Sequence, residues 1–336
     1  TLLRISALLL IGGTVMCAVS ENLWQLYLWN AVKGLGAGLS GFVVATVVIN
    51  NWVYVKRGLI MSIVMSFSGV GGLLFATPFS MIIESYGYQA AYVAMAVFIF
   101  VFYIPALFFP LAEKPEQIGQ KPYGYEEYLT YRKNQQKQEP EKGVSTGEVK
   151  GEKFALMILF TSLVCIIAAM VMHLSGYAEV IGLGSSVGAL MISAVNLANV
   201  FAKIMYGTLS DKAGTLKASL FVGGLSLFGL AGFLFLKSPV GLLLSSILYG
   251  FTMPNSAVAL SLATSDLFGS ENYTKIYPVV NFAGSLTNSF GMTIYGVMYD
   301  ITESYRFLFM VTLIMQVIAL ELITFLYKRK ETAELV

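Results

Sequence analysis

Residues 196–214 read NLANVFAKIMYGTLSDKAG, and this stretch decides how the whole chain is interpreted. A run with the apolar character of a membrane helix carries two amides and an ammonium, at Asn196, Asn199 and Lys203. A short charged turn between two glycines follows it. Polar groups are costly in lipid and normally face a cavity or the interior of a helix bundle. The stretch therefore predicts a membrane helix with one polar face and a polar loop at its end.

The composition indicates that most of the chain lies in lipid. Of the 336 residues, 57% are hydrophobic and 12% are charged, whereas soluble domains carry about 25% charged residues. The net charge of +2 gives no indication of a nucleic-acid partner. Cys17 and Cys165 both lie in apolar runs and His173 is the single histidine, so we expect two buried thiols and neither a disulfide nor a metal site. No cofactor motif is present.

Ten apolar runs have the length of roughly 20 residues that a helix needs to cross a bilayer. They predict an all-α integral membrane protein with spans near 2–19, 23–49, 58–82, 90–112, 154–173, 185–208, 216–236, 239–263, 277–299 and 306–327. One long polar connection separates the first four runs from the last six. The predicted organisation is an incomplete N-terminal bundle at 1–112, a cytosolic linker at 113–153, a C-terminal six-helix bundle at 154–328 and a cytosolic tail at 329–336.

Basic residues are sorted to one side of the predicted spans. If residue 1 lies in the cytosol, 17 of the 21 Lys and Arg fall on the cytosolic side. Lys237 and Arg306 fall on the other side, while Lys33 and Lys203 lie within spans. Because cytoplasmic loops carry an excess of Lys and Arg, this pattern predicts a multi-pass cell-membrane protein with both visible termini in the cytosol.

Short sequence matches recur at a nearly constant separation along the chain. The matched pairs are LRISALLLIGG (3–13) with LKASLFVGG (216–224), SFSG (66–69) with NFAG (281–284), and YQAAY (88–92) with YRFLF (305–309). Parallel repeats of six-span halves are a common transporter plan. Since the second half has six spans and the first has four, we expect two spans to precede Thr1.

Several motifs resemble one family of transporters. YGTLSDKAG (206–214) resembles the loop signature Gly-x-Leu-x-Asp-Arg/Lys-x-Gly between the eighth and ninth helices of the major facilitator superfamily, although Thr215 and Leu216 replace two basic residues that often follow it. Within that superfamily, three further segments resemble the monocarboxylate-transporter and oxalate:formate-antiporter branch: KRGLIMSIVMSFSGVGG (56–72), EKPEQIGQKPYG (113–124) and GVMYDITESY (296–305). The whole chain is thereby similar to helices three to twelve of such a transporter.

The resemblance implies two six-helix bundles around a central cavity that is lined by the first, second, fourth and fifth helices of each half. In-span polar residues follow this plan, apart from Gln316 and Glu321 in the twelfth helix. The candidate substrate-binding residues are Lys203, Asn199, Asn196, Lys33, Asn281 and Ser285. The candidate gating loop, which the family uses to latch one state of the transport cycle, contains Gly207, Asp211, Lys212 and Gly214.

Lys203 and Lys33, the two lysines within predicted spans, each have two possible interpretations. Lys203 falls where the branch places an eighth-helix arginine for the substrate carboxylate. It is also about six residues, or roughly 9 Å, from the predicted helix end, so it could extend to the headgroups. Lys33 lies near the middle of its span and is either a cavity charge or half of a structural pair.

These features predict a secondary active transporter that moves a small organic anion, a monocarboxylate in the first instance, by alternating access. A dicarboxylate or formate-type exchanger is the first alternative, although no second cation lies between Lys275 and Asp300. A non-transporting binding protein and an inactive truncation are the others. The coupling partner, a proton or a counter-anion, stays open; His173 is a candidate relay or an interfacial residue. No nucleophile–base pair or catalytic residue is recognisable, so no enzyme is expected.

Overall fold

The computed structural model describes residues 2–108, 112, 114–127, 129 and 151–334, and these residues are almost entirely helical. The helices are α1 (Leu2–Ala18), α2 (Leu23–Ser40), α3 (Phe42–Trp52), α4 (Arg57–Phe108), α5 (Glu152–Ala169), α6 (Leu174–Val180), α7 (Gly184–Ala213), α8 (Thr215–Phe235), α9 (Pro239–Gly250), α10 (Val258–Thr302) and α11 (Tyr305–Glu334). Short 3₁₀ segments lie at Pro115–Ile118 and Met170–His173. Apart from their ends, helices satisfy their backbone hydrogen bonds internally, which is what a lipid environment requires.

Six helical segments in the described part of the chain are long and apolar enough to cross a membrane. They are Leu23–Trp52, Ser85–Phe108, Glu152–Val180, Ser186–Ala213, Thr215–Phe235 and Tyr305–Arg329. Four shorter apolar helices accompany them, at Leu3–Ala18, Arg57–Gly71, Pro239–Gly250 and Val258–Gly269. Of the last two, Pro239–Gly250 lies within the predicted span 239–263, and Val258–Gly269 begins within it and extends beyond it. The predicted span 277–299 is helical and lies within α10.

Two of the predicted spans are not continuous helices. The run 239–263 is interrupted by turns over 251–257, where Pro254 lacks the N–H that a continuous helix would use. The run 23–49 is interrupted at Gly41, whose ψ of −157° is extended rather than helical. Apolar composition is the same on both sides of each break, so the hydropathy pattern alone did not reveal either one.

The positions at which helices begin and break repeat along the chain. Helix α1 at Leu2–Ala18 has its counterpart in α8 at Thr215–Phe235. Left-handed backbone conformations at Lys56 and Gly87 have counterparts at Gly269 and Glu303, with nearly the same separation. The sequence matches are separated by the same interval, so the internal repeat extends to the helix boundaries.

The described helices divide into two compact units. The first comprises Thr1–Tyr54 and Gly71–Tyr125, and the second comprises Val55–Val70 and Glu126–Val336. The beginning of α4 thus belongs with the C-terminal helices. Of the predicted linker 113–153, residues 113, 128 and 130–150 lie outside the described residues.

Aromatic rings and satisfied polar groups hold the core of the second unit. The rings of Phe233 and Phe309 stack at 5.0 Å between centroids. The Tyr249 hydroxyl donates to the Ile167 carbonyl at 2.6 Å. Gln316, one of the two exceptions to the polar sorting, is fully buried and donates to the Gly223 carbonyl at 3.4 Å. Its amide therefore forms a hydrogen bond inside the bundle and does not face lipid.

Candidate functional site

The candidate site lies where the segment Val55–Val70 packs antiparallel against α7, inside the second unit. Residues that come later in the segment contact residues that come earlier in α7. Gly58 contacts Asp211 at one end, and Gly69 lies beside Asn199 at the other. Between these two ends the helices meet along about three turns.

Lys203 lies in the middle of this helix pair. Its Nζ donates to the Met65 carbonyl at 3.1 Å and to Ser68 Oγ at 3.0 Å. The residue is only 4% exposed, so in this conformation the ammonium binds within the unit and does not extend to the headgroups. An ammonium has three donors, and both acceptors here are neutral. In the described residues no carboxylate oxygen lies within 4.0 Å of Nζ.

One turn away, Asn199 adds an unused acceptor. Its side chain is 9% exposed, and its Oδ1 is buried without a hydrogen-bond partner among the described residues. Asn196, a further turn along α7, is half-buried. A Cβ on Gly69 would lie 3.3 Å from Asn199 Nδ2 and 3.4 Å from the Asn196 carbonyl, so the absence of a side chain there leaves room for both. A cation and an unsatisfied acceptor thus share one face of α7.

Asp211 caps the first turn of α4. Its Oδ1 accepts from the Gly58 N–H and its Oδ2 from the Leu59 N–H, both at 2.8 Å. The first N–H groups of a helix have no partner within the helix, and a negative charge there also interacts favourably with the helix dipole. Asp211 on α7 therefore acts as a helix cap for the neighbouring α4.

Asp211→Asn is expected to increase hydrogen exchange at the start of α4. The substitution removes the charge and replaces one acceptor oxygen by an amide group that donates, which costs about 1–2 kcal/mol. Amides in peptides covering 57–62 should therefore exchange about tenfold faster, measured by hydrogen–deuterium exchange with mass spectrometry. Lys212→Gln, which alters an exposed neighbour, serves as the control. Unchanged protection in Asp211→Asn would show that the cap contributes nothing to this helix end.

Gly207 allows the two helices to approach closely. A Cβ at this position would collide with the Gly58 carbonyl oxygen and with the Ser62 side chain. Small residues at such contacts let helix backbones meet in lipid. Gly214, at the end of α7, has a φ of 88°, a conformation that glycine adopts at no steric cost. Lys212 is exposed in the last turn of α7, so the charged stretch that was predicted to be a loop is helical up to Ala213.

The sequence marked 56–72 as a motif of the resembled branch but identified no site residue on the α4 side. Gly58, Ser62, Met65 and Gly69 are spaced by four, three and four residues, which places them on one helix face. That spacing was the available signal, because a stripe of mostly small residues on an apolar helix marks a close contact. It could not identify α7 as the partner.

Lys33 lies in the first unit and has partners there. Its Nζ donates to Asn30 Oδ1 at 3.3 Å and lies 5.1 Å from the centroid of the Tyr92 ring. A Cβ on Gly13 would come within 2.8 Å of Lys33 Cγ, so α1 packs against the stem of this lysine. Among the described residues, Lys33 thus has a neutral amide and an aromatic ring as partners within its own unit.

Asn281 and Ser285 lie on α10. Asn281 is half-buried and Ser285 is exposed. In the described part of the chain, no hydrogen bond joins either residue to Lys203 or Asn199. The structure therefore brings Lys203, Asn199 and Asn196 together with the segment Val55–Val70.

Comparisons with known proteins identify the fold. The sequence matches the family model described as Major Facilitator Superfamily over residues 1–292. The structure is similar to a crystal structure of a double-tryptophan mutant of XylE, with a TM-score of 0.75 and 15% identity over 95% of this chain and 78% of that chain. It is also similar to the proton:xylose symporter XylE bound to 6-bromo-6-deoxy-D-glucose, with a TM-score of 0.72 and 17% identity over 97% and 79%. The comparison with curated protein sequences finds no match.

The match to the family model, which covers most of the chain, identifies this multi-pass helical membrane protein as a secondary transporter. The chain belongs to the Major Facilitator Superfamily. The predicted fold class and the superfamily are therefore confirmed. At 15% to 17% identity, the likeness to XylE concerns the fold and carries no statement about the substrate.

Proposed function

We propose that this transporter moves a small organic anion, a monocarboxylate in the first instance, by alternating access. The observation that carries the proposal is the buried ammonium of Lys203, which has only neutral acceptors in the described residues. A buried charge without a counter-charge is unfavourable. A carboxylate that enters the site would supply that counter-charge.

The unpaired acceptor of Asn199 indicates which further group the ligand carries. Asn199 lies one turn from Lys203, and its Oδ1 has no partner in the described part of the chain. A carboxylate bound to the third N–H of Lys203 and a hydroxyl bound to Asn199 would satisfy both groups. A small hydroxy acid is the ligand that this arrangement fits best.

The resemblance to the monocarboxylate-transporter and oxalate:formate-antiporter branch supports the same class of substrate. No Lys or Arg lies between Lys275 and Asp300, so a dicarboxylate held by two cations stays the second candidate. The sorting of basic residues supports a cytosolic location for both visible ends. The sequence repeat supports two further helices before residue 1 and the division into bundles at 1–112 and 154–328. A proton or a counter-anion remains the proposed coupling partner.

The candidate gating residues, which lie in the last turns of α7 and at its end, fit a transport cycle. We infer that Asp211 and Gly207 hold the start of α4 against α7 in one state and release it in the other. The cap consists of two hydrogen bonds, a connection small enough to break during turnover. A ligand shifts such an equilibrium only by its differential affinity for the two states.

Uptake by reconstituted protein tests the proposal. Liposomes containing the purified transporter are loaded with unlabelled lactate, oxalate or xylose, and entry of the corresponding labelled compound is measured. We expect counterflow with lactate and little or none with xylose. Xylose counterflow that no carboxylate inhibits would refute the organic-anion proposal.

A further inference from the structure

The serine that contacts the Lys203 ammonium is itself held in place. Ser68 Oγ donates to the Met65 carbonyl at 2.8 Å and accepts from Lys203 Nζ at 3.0 Å. Lys203 Nζ donates to the same Met65 carbonyl at 3.1 Å. A hydroxyl has a single hydrogen to donate, and here the Met65 carbonyl takes it. Ser68 therefore presents only lone pairs to the ammonium.

The three polar atoms form a nearly equilateral triangle. Its sides are 2.8, 3.0 and 3.1 Å, so both acceptors lie on the same side of Lys203 Nζ. The three N–H bonds of an ammonium diverge from one another, so at least one of them points away from these acceptors. Among the residues that the structure describes, Nζ has no further hydrogen-bond acceptor. One N–H is thus left for a ligand.

Ser68 restricts a side chain that is otherwise flexible. A lysine ammonium lies on a stem of four rotatable carbons, and ordering such a side chain costs conformational entropy. Lys203 is 4% exposed and Met65 is 1% exposed, whereas Ser68 is exposed. Ser68 is therefore the partner of the ammonium on the open side of the helix pair. Without its hydroxyl, the Met65 carbonyl alone would hold Nζ.

We propose that Ser68 is a positioning residue for the substrate site. Its hydroxyl fixes the Lys203 ammonium so that the remaining N–H is directed at the substrate carboxylate before the substrate binds. This role rests on the proposed function, which assigns the ammonium to a carboxylate. Preorganisation of a binding group raises affinity, because the cost of ordering it is not incurred on binding. Ser68 itself has no hydrogen left to donate to the substrate.

Chemical labelling of the Lys203 amine tests the positioning without any substrate. Purified protein in detergent is treated briefly with acetic anhydride, and acetylation of Lys203 is measured by mass spectrometry relative to acetylation of the exposed Lys237. We expect Ser68→Ala to raise the relative labelling rate of Lys203 at least threefold, because the amine is released from one of its two partners. An unchanged rate would overturn the proposal.

Two larger substitutions separate the hydroxyl from the space that the side chain fills. Threonine and valine have nearly the same shape, and only threonine has a hydroxyl, which can bond to a carbonyl of the preceding turn. The exposed position of Ser68 leaves room for the additional methyl group. Ser68→Thr should label like the wild type and Ser68→Val like Ser68→Ala. Equal rates in Ser68→Thr and Ser68→Val would contradict a role of the hydroxyl.

Transport kinetics separate positioning from a general effect on α4. In the lactate counterflow assay, Ser68→Ala should raise KM about tenfold, as expected for one hydrogen bond to a charged group, and leave kcat unchanged, because the loss affects binding. Ser66→Ala is the matched control. Ser66 Oγ donates to the Ile63 carbonyl at 2.7 Å, so this variant also loses a serine bond within α4 but no contact with Lys203. It should keep the wild-type KM.

The outcomes distinguish failure of this role from failure of the proposed function. If the wild type transports lactate and Lys203→Gln does not, a wild-type KM in Ser68→Ala refutes the positioning role and leaves the proposed function standing. A lower kcat with an unchanged KM refutes it as well. If the wild type transports no carboxylate, the proposed function fails, and the labelling rates still decide whether Ser68 fixes the ammonium.

Discussion

Replacing Lys203 by glutamine is expected to lower uptake of a carboxylate substrate by about 100-fold at subsaturating concentration. Removing one partner of a buried charge pair costs about 2–5 kcal/mol, and about 2.7 kcal/mol corresponds to a 100-fold change. Glutamine retains a donor for the Met65 carbonyl but has no charge for the substrate. Initial rates of labelled lactate uptake into proteoliposomes measure the effect.

Two variants control for charge and for folding. Lys203→Arg keeps the positive charge and should retain uptake within about tenfold, since the guanidinium also binds carboxylates. Lys237→Gln removes an exposed charge between α8 and α9 and should behave like the wild type. Uptake by Lys203→Gln that equals the wild-type rate would exclude this lysine from the substrate site.

The second large effect is expected at Gly207. Gly207→Ala places a methyl group against the Gly58 carbonyl oxygen and Ser62, and backbone atoms cannot move aside as the end of a side chain can. Overpacking of this kind costs about 1–3 kcal/mol. We expect a lower unfolding temperature in detergent and faster hydrogen exchange in 57–70, because the α4 segment separates from α7.

Gly224→Ala is the matched control for this substitution. Gly224 lies within α8 of the same unit, and a Cβ built there meets nothing within 4 Å. Alanine in an open helical position is favoured over glycine by roughly 0.5–1 kcal/mol, so this variant should be as stable as the wild type or more stable. If both variants behaved alike, close packing at Gly207 would not hold the helix pair together.

The fold class was predictable because a lipid environment requires long apolar helices. Apolar runs of membrane-spanning length and the charge of the connections between them are local properties of the sequence, and the motif at 206–214 indicated the superfamily. The breaks at Gly41 and at 251–257 were not predictable from the same signal. Apolar residues continue through both, and the cost of each break depends on the neighbouring helices that surround it.

Of the two helices that form the candidate site, only the α7 side was predictable from the sequence. The spacing of Asn196, Asn199 and Lys203 placed them on one face of α7, and that is where they lie. The acceptors for Lys203 are on α4, far earlier in the chain, and no local pattern connects the two helices. The contact between Lys33 and Tyr92 was also not predictable from a local pattern, because Tyr92 lies on another helix.

The central claim is that the Lys203 charge serves a ligand rather than the fold, and thermal unfolding tests it most directly. The unfolding temperatures of the wild type and Lys203→Gln are compared with and without lactate. A ligand at about 100 times its Kd stabilises by roughly 2.7 kcal/mol. We predict that Lys203→Gln without ligand is at least as stable as the wild type, because an unbalanced buried charge has been removed, and that lactate stabilises only the wild type. A marked loss of stability in the variant, with the response to lactate retained, would show that Lys203 is a structural tether between α4 and α7.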